Sequence, residues 1–193
     1  MDKNKIFLCS LTHTRQGYTS EIIPYQIGCI KGYVHSFVDP DIEISLFNDP
    51  DKLNEAYING ESPAIIGFSN FLWNLNISAK YAELIKRNHP ETLVIFGGRN
   101  FPLELHKQVK WMEDRPYIDV NVLGDGEIPF SELVKAFLKH GSISKIKNSK
   151  INGICTLNNG KYRKNCGVMR DGNDDIPRTR NLDDIPSPYL NGY

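Results

Sequence analysis

The sequence has no surplus of either charge: 23 Lys and Arg stand against 23 Asp and Glu. It has no polybasic run, which excludes a nucleic-acid binder that works by bulk charge. Long apolar runs are missing too, and nothing approaches the roughly 18 residues of a membrane span. Met1-Asp2-Lys3-Asn4-Lys5-Ile6 leads straight into a short strand-like segment, without the apolar core and cleavage site of a signal peptide. Cysteine is scarce. Cys9, Cys29, Cys155 and Cys166 lie at spacings of 20, 126 and 11. None forms C-x-x-C or C-x-x-x-C-x-x-C, so a metal or cluster site built from neighbouring cysteines is excluded. Cys9 and Cys29 sit among apolar residues and read as buried thiols. With no export signal, the expected setting is reducing and cytoplasmic. Catalytic signatures are missing as well: there is no G-x-S-x-G elbow, no Walker loop and no G-x-G-x-x-G. The first strand ends Cys9-Ser10-Leu11-Thr12, without the acids of a phosphoacceptor receiver.

What is present is an ordinary globular mixture, 40% apolar and 24% charged over 193 residues. That composition lies outside the disordered class and can bury roughly 70% of the unfolded surface. Up to His140 the pattern alternates between two periods. Apolar runs at Ile6–Cys9, Ile42–Phe47, Ala64–Ser69, Leu93–Phe96 and Tyr117–Leu123 read as strands. Helical spacing separates them, as in Ile23, Ile27, Ile30, Val34 and Phe37. Asp49-Pro50 supplies an N-cap and a proline at the first helical position. Strand–helix alternation of this kind predicts an α/β, flavodoxin-like (Rossmann-like) fold: a five-stranded parallel sheet in the order 2-1-3-4-5, helices on both faces. Gly141–Lys150 reads as a surface loop. Gly153–Leu157 and Lys161–Arg163, joined by Asn158-Asn159-Gly160, read as a β-hairpin. From Asp171 the chain is rich in Pro, Asp and Asn, as an extended strap would be. The expected divisions are residues 1–140 as the Rossmann-like domain, 141–170 as loop and hairpin, and 171–193 as strap.

In an open parallel sheet, ligands bind beyond the carboxyl ends of the strands, where the strand order switches. The segments at that edge are Leu11–Thr19, Ser69–Asn74, Gly97–Pro102 and Gly124–Ile128. They mix bare backbone with aromatics and small hydrogen-bonding groups, which suits a flat, mostly apolar ligand with polar appendages. Glu127 reads as a first-turn acid complementing a helix dipole rather than as a catalytic group.

Three of these segments, in order, resemble the N-terminal cobalamin-binding domain of B12-dependent radical SAM proteins. They are Gly67-Phe68-Ser69-Asn70-Phe71-Leu72-Trp73-Asn74, Val94-Ile95-Phe96-Gly97-Gly98-Arg99-Asn100-Phe101-Pro102 and Val122-Leu123-Gly124-Asp125-Gly126-Glu127-Ile128-Pro129-Phe130. Leu182–Leu190 resembles the strap that leads into the radical SAM barrel. The resemblance implies cobalamin binding by Ser69, Asn70, Phe71, Leu72, Gly97, Gly98, Arg99, Phe101, Gly124, Gly126 and Glu127. Ser69 would hydrogen-bond a buried nucleotide tail, and Gly97, Gly98 and Gly126 would leave room for it. Phe71, Leu72 and Phe101 would pack on the macrocycle or tail, and Arg99 would meet a phosphate or propionamide.

Two departures from the family pattern stand out. Where the family has D-x-H-x-x-G, this chain reads Thr12-His13-Thr14-Arg15-Gln16-Gly17. Thr14 stands at the ligating position and His13 is one residue out of register, so the resemblance implies cobalt without a protein ligand below, His13 being the alternative. The C-x-x-x-C-x-x-C motif is absent, so the chain looks like an excised or truncated domain of a methyltransferase or cyclase. A barrel in the same parent chain would hold the [4Fe–4S] cluster and S-adenosylmethionine. No nucleic acid or membrane partner is implied. The competing readings are a Rossmann-like structural or interaction domain without cofactor, and a flavin- or nucleotide-binding module.

Overall fold

A computed structural model describes residues 2–12, 24–168 and 174–192. Strands β1 (Asp2–Cys9), β2 (Glu43–Phe47), β3 (Pro63–Ser69), β4 (Leu93–Gly97) and β5 (Val120–Val122) alternate with helices α1 (Tyr25–Phe37), α2 (Pro50–Ile58), α3 (Leu75–Asn88), α4 (Leu105–Glu113) and α5 (Glu127–His140). A short helix α6 (Ile143–Lys147) precedes β6 (Ile154–Asn158) and β7 (Lys161–Asn165). The main sheet runs β2-β1-β3-β4-β5-β6-β7. Its first five strands pair in parallel, and β6 and β7 add to the β5 edge antiparallel. The expected five-stranded parallel sheet with a separate hairpin is therefore corrected to one mixed sheet of seven strands. The reason is cross-strand pairing: Val120, Asn121 and Val122 take Thr156, Cys155 and Ile154 as partners, closing what would be an open edge.

The strands are apolar throughout because both faces are covered. Alternate residues divide between two cores. Ile6, Leu8, Ile65, Ile95 and Val122 join Ile27 and Val34 of α1 and Phe130, Val134 and Phe137 of α5. Phe7, Cys9, Ile66, Phe68 and Phe96 join Leu53 of α2, Ile85 of α3 and Met112 of α4.

Gly141–Lys150, expected to be a loop, instead contains α6. Ser142 caps it, accepting a hydrogen bond from the Lys145 amide, and Ile146 is buried in the α1/α5 core. Lys147 Nζ lies 3.0 Å from Asp119 Oδ1, and Lys86 Nζ of α3 lies 2.6 Å from Asp119 Oδ2. One buried carboxylate just ahead of β5 thus ties α3 and α6 to the sheet. Asp174–Asp175 pairs antiparallel with Gly167–Val168, and a 3-10 turn follows at Leu182–Asp184.

Candidate functional site

A cavity of about 200 Å³ opens at the carboxyl ends of β1, β3, β4 and β5, on the face covered by α1 and α5. Its origin lies in a taper of side-chain size. On that face β3 presents Ile65, Gly67 and Ser69, and β4 presents Leu93, Ile95 and Gly97. The parallel register sets Gly67 beside Ile95 and Ser69 beside Gly97, and Gly97 beside Val122 of β5. Small residues thus gather in adjacent strands at one end of the sheet, where a packed core would need bulk. Leu8 and Phe130 flank the hollow, because a Cβ added to Gly67 would lie 2.9 Å from Leu8 Cδ2 and 3.1 Å from Phe130 Cε2. Gln26, Ile27 and Ile30 of α1 form the opposite wall.

Two loops make the rim, and asparagines bind them to each other. Asn70 donates its amide to Gly97 O (2.6 Å) and accepts from the Asn100 amide (3.2 Å). The Asn70 and Asn100 side chains also bond, and Asn70 Nδ2 donates to Asn100 O at 3.1 Å. Asn74 Oδ1 accepts from the Phe71 amide at 2.8 Å, while its Nδ2 donates to Ser69 O at 2.9 Å. This network holds Phe71 at the cavity with its ring stacked on Trp73, centroids 4.5 Å apart and planes 4° from parallel. Gly98 is required by the same junction. Its φ is +125°, and an added Cβ would lie 2.5 Å from Asn70 O.

At the α5 end, Gly126 is the residue before the helix and Glu127 its first, so the helix N-terminus faces the hollow. Burial raises the Glu127 carboxyl above the usual range; its own backbone amide opposes the shift, and the nearby Asp125 charge adds to it. Among the described residues no cluster of three His, Cys, Asp or Glu forms a metal site. The groups lining the hollow are hydroxyl, amide, carboxyl and bare backbone on apolar walls. That arrangement binds and orients an apolar group with a few polar atoms.

Of the residues expected at a site, Ser69, Phe71, Gly97, Gly98, Gly124, Gly126 and Glu127 line the cavity together. Four do not. Asn70 is fully buried and spends its side chain on the loop junction. Leu72 projects outward, 84% exposed, and Arg99 is exposed as well. Phe101 packs edge-on against Trp111, centroids 5.1 Å apart, on the α4 side of the sheet. His13 lies outside the described residues. Sequence reasoning missed Gly67 and the α1 wall. The strand's period of two carried the signal for Gly67, which shares a face with Ser69; for α1 the helical spacing of Ile27 and Ile30 marked only a buried stripe.

No family model matches the chain. A cobalamin-dependent radical SAM methyltransferase, TokK of Streptomyces tokunonensis, is 30% identical over 131 residues, 67% of this chain and 17% of that protein. A 2-(S-pantetheinyl)-carbapenam-3-carboxylate methyltransferase of Streptantibioticus cattleyicolor is 25% identical over 181 residues, 88% of this chain and 23% of that protein. The chain therefore spans about a fifth of the length of these relatives. Among solved structures, the cobalamin-dependent S-adenosylmethionine radical enzyme OxsB, with aqua-cobalamin and S-adenosylmethionine bound, superposes with a TM-score of 0.64 at 14% identity, over 97% of this chain and 24% of that one. OxsB with aqua-cobalamin alone gives 0.63 at 15% identity and the same coverage. In sequence and in fold, then, this chain is a relative of the cobalamin-dependent radical SAM enzymes and resembles their cobalamin-binding domain.

Proposed function

We propose that this chain is the cobalamin-holding domain of a larger radical SAM enzyme, and that its cavity receives the nucleotide tail of the cofactor. The observation that supports the reading most is the hollow beside Ser69 and Gly97 on adjacent strands, lined also by Gly67, near the switch in strand order. At about 200 Å³ it is smaller than the roughly 300–1,000 Å³ of a whole drug-sized site. It suits one inserted heterocycle, with the macrocycle left on the rim. The residues fit that group: apolar walls from Leu8, Ile27, Ile30 and Phe130, with Ser69 and Gln26 as polar partners.

Cobalamin, when bound, supplies an alkyl-carrying, redox-active cobalt. This chain's residues bind and orient. Ser69 hydrogen-bonds the tail, the walls exclude water from it, and the Phe71–Trp73 stack offers an apolar shelf beside the opening. In the parent protein, the barrel with its [4Fe–4S] cluster and S-adenosylmethionine would carry methyl transfer or, less commonly in the family, cyclisation.

Equilibrium titration with hydroxocobalamin, read by visible absorbance, tests the proposal. Wild type should bind. Gly97→Val should fold, since an added Cβ lies no closer than 3.4 Å to Val122, yet its side chain fills the hollow and binding should be lost. Ser69→Ala should weaken binding about fivefold, one neutral hydrogen bond of roughly 1 kcal/mol. A folded wild-type chain that binds no cobalamin would favour the reading as a structural or interaction domain instead.

A further inference from the structure

The segment read as a linker is seated on the domain at three glycines. A Cβ added to Gly28 in α1 would lie 2.7 Å from Pro188 Cβ; at Gly124 it would meet Ile176 Cγ2 at 2.8 Å; at Gly153, Pro177 Cδ at 2.9 Å. Pro188 is buried, and the Tyr189 ring stacks on Tyr25 of α1 with centroids 5.8 Å apart. Arg178 Nε lies 3.9 Å from Asp125 Oδ2. One of the three seats lines the cavity, and a second lies on the helix that forms its far wall. Gly28 follows Ile27, which lines the cavity, and Gly124 lines it directly. A tether needs no such fit: each of these side chains occupies the place where the domain lacks a Cβ.

We infer that residues 176–189 are a positioning element for the cofactor cavity. Ile176 bears on the turn between β5 and α5, and Pro188 and Tyr189 bear on the outer side of α1. Together they fix the spacing of the two elements that close the hollow against the sheet. The inference rests on the cobalamin reading and deepens it. Coupling of this kind is reciprocal. If the seated strap favours cofactor binding, bound cofactor must favour the seated strap.

The test uses the full chain. Gly28→Ala places a methyl group where Pro188 sits, and alanine is the better helix former, so α1 itself is not weakened. Tyr189→Ala removes the ring stack from an exposed position and leaves both cores untouched. Two quantities are read: equilibrium affinity for hydroxocobalamin, and the rate of tryptic cleavage after the exposed Arg178 and Arg180. In wild type, saturating cobalamin should slow cleavage at both sites. Gly28→Ala should speed cleavage without cofactor and weaken cobalamin binding by about tenfold, the loss of one preorganised wall. Tyr189→Ala should move both quantities in the same direction by a smaller factor. A merely structural strap would change cleavage and leave affinity within twofold, and that result overturns the inference. So does a Gly28→Ala chain whose cleavage rate is unchanged, since the strap would then not sit on Gly28. Wild type that binds no cobalamin overturns the parent reading, and the inference with it.

Discussion

The residues of this site earn their roles by size and placement rather than by reactivity. Ser69 and Gly97 leave volume, and Gly67 gives room to the Leu8 and Phe130 side chains that flank it; Asn70, Asn74 and Asn100 hold the rim, and Gly98 permits the two loops to approach. Asn70 shows how a motif position with a binding interpretation can be occupied by a structural need: both polar atoms of its side chain are bonded within the loop junction. Among the described residues lining the cavity, Glu127 is the titratable group whose burial has a consequence. Its carboxyl is raised, so the folded state favours the protonated form. For an acid raised in this direction the unfolded chain binds fewer protons between the two pKa values, and stability falls as pH rises through that window. The burial cost is present in full above the raised value and relieved below the ordinary one. Glu127→Gln should therefore raise the thermal midpoint at neutral pH, with the gain shrinking as pH falls into the carboxylate range. Parallel melting curves of both proteins against pH check this; a gain that grows on acidification would contradict it.

Among the elements, the least expected is α6. Its five residues carry no sustained helical periodicity, and in sequence they are a basic stretch. A buried isoleucine and a shared carboxylate decide its conformation. Asp119, with its side chain 4% exposed, accepts from the Val94 amide at 3.0 Å as well as from both lysines. Burial lowers the Lys86 ammonium, and the Asp119 charge opposes that. Removing the shared partner leaves two mostly buried cations without their counter-charge, although Lys86 keeps hydrogen bonds to Pro90 O and Thr92 O. Asp119→Ala should cost about 3 kcal/mol, the usual consequence of breaking a buried pair, measured by denaturant unfolding. It should also expose the α6 amides to hydrogen exchange before those of α5. A loss below about 0.5 kcal/mol, typical of exposed pairs, would show that the triad is not buried in solution. The β6–β7 pair illustrates the opposite case. Asn159-Gly160 takes φ values of +49° and +72°, as its dipeptide suggests, but nothing local says that the pair extends the main sheet. Tyr162 of β7 settles that at long range, its hydroxyl lying 2.9 Å from both Gln108 Oε1 of α4 and Cys155 Sγ of β6.

At the scale of the whole molecule, the four cysteines are distributed so that no cluster is assembled. Cys9 lies in the α2/α3/α4 core, Cys29 on α1, Cys155 in β6 and Cys166 just beyond β7. A [4Fe–4S] cluster needs several thiolates converging on one point. Reconstitution of this chain with iron and sulfide should therefore yield no stoichiometric cluster and no reductive cleavage of S-adenosylmethionine; finding both would refute the prediction. The sequence by itself determined the strand–helix alternation, the order of the five parallel strands, the edge at which the cavity lies and seven of the residues that line it. These follow from period, from turn chemistry and from the handedness of crossovers, which are local or general. Only the tertiary structure decided that the hairpin extends the main sheet, that α6 is helical, that Phe101 turns away from the cavity and that α1 supplies its far wall. It also decided that the proline-rich strap is seated on Gly28, Gly124 and Gly153. Each of these depends on which distant surface lies opposite a segment. A glycine's missing side chain has no meaning along the chain until folding brings another residue, here Pro188, Ile176 or Pro177, into the space it leaves.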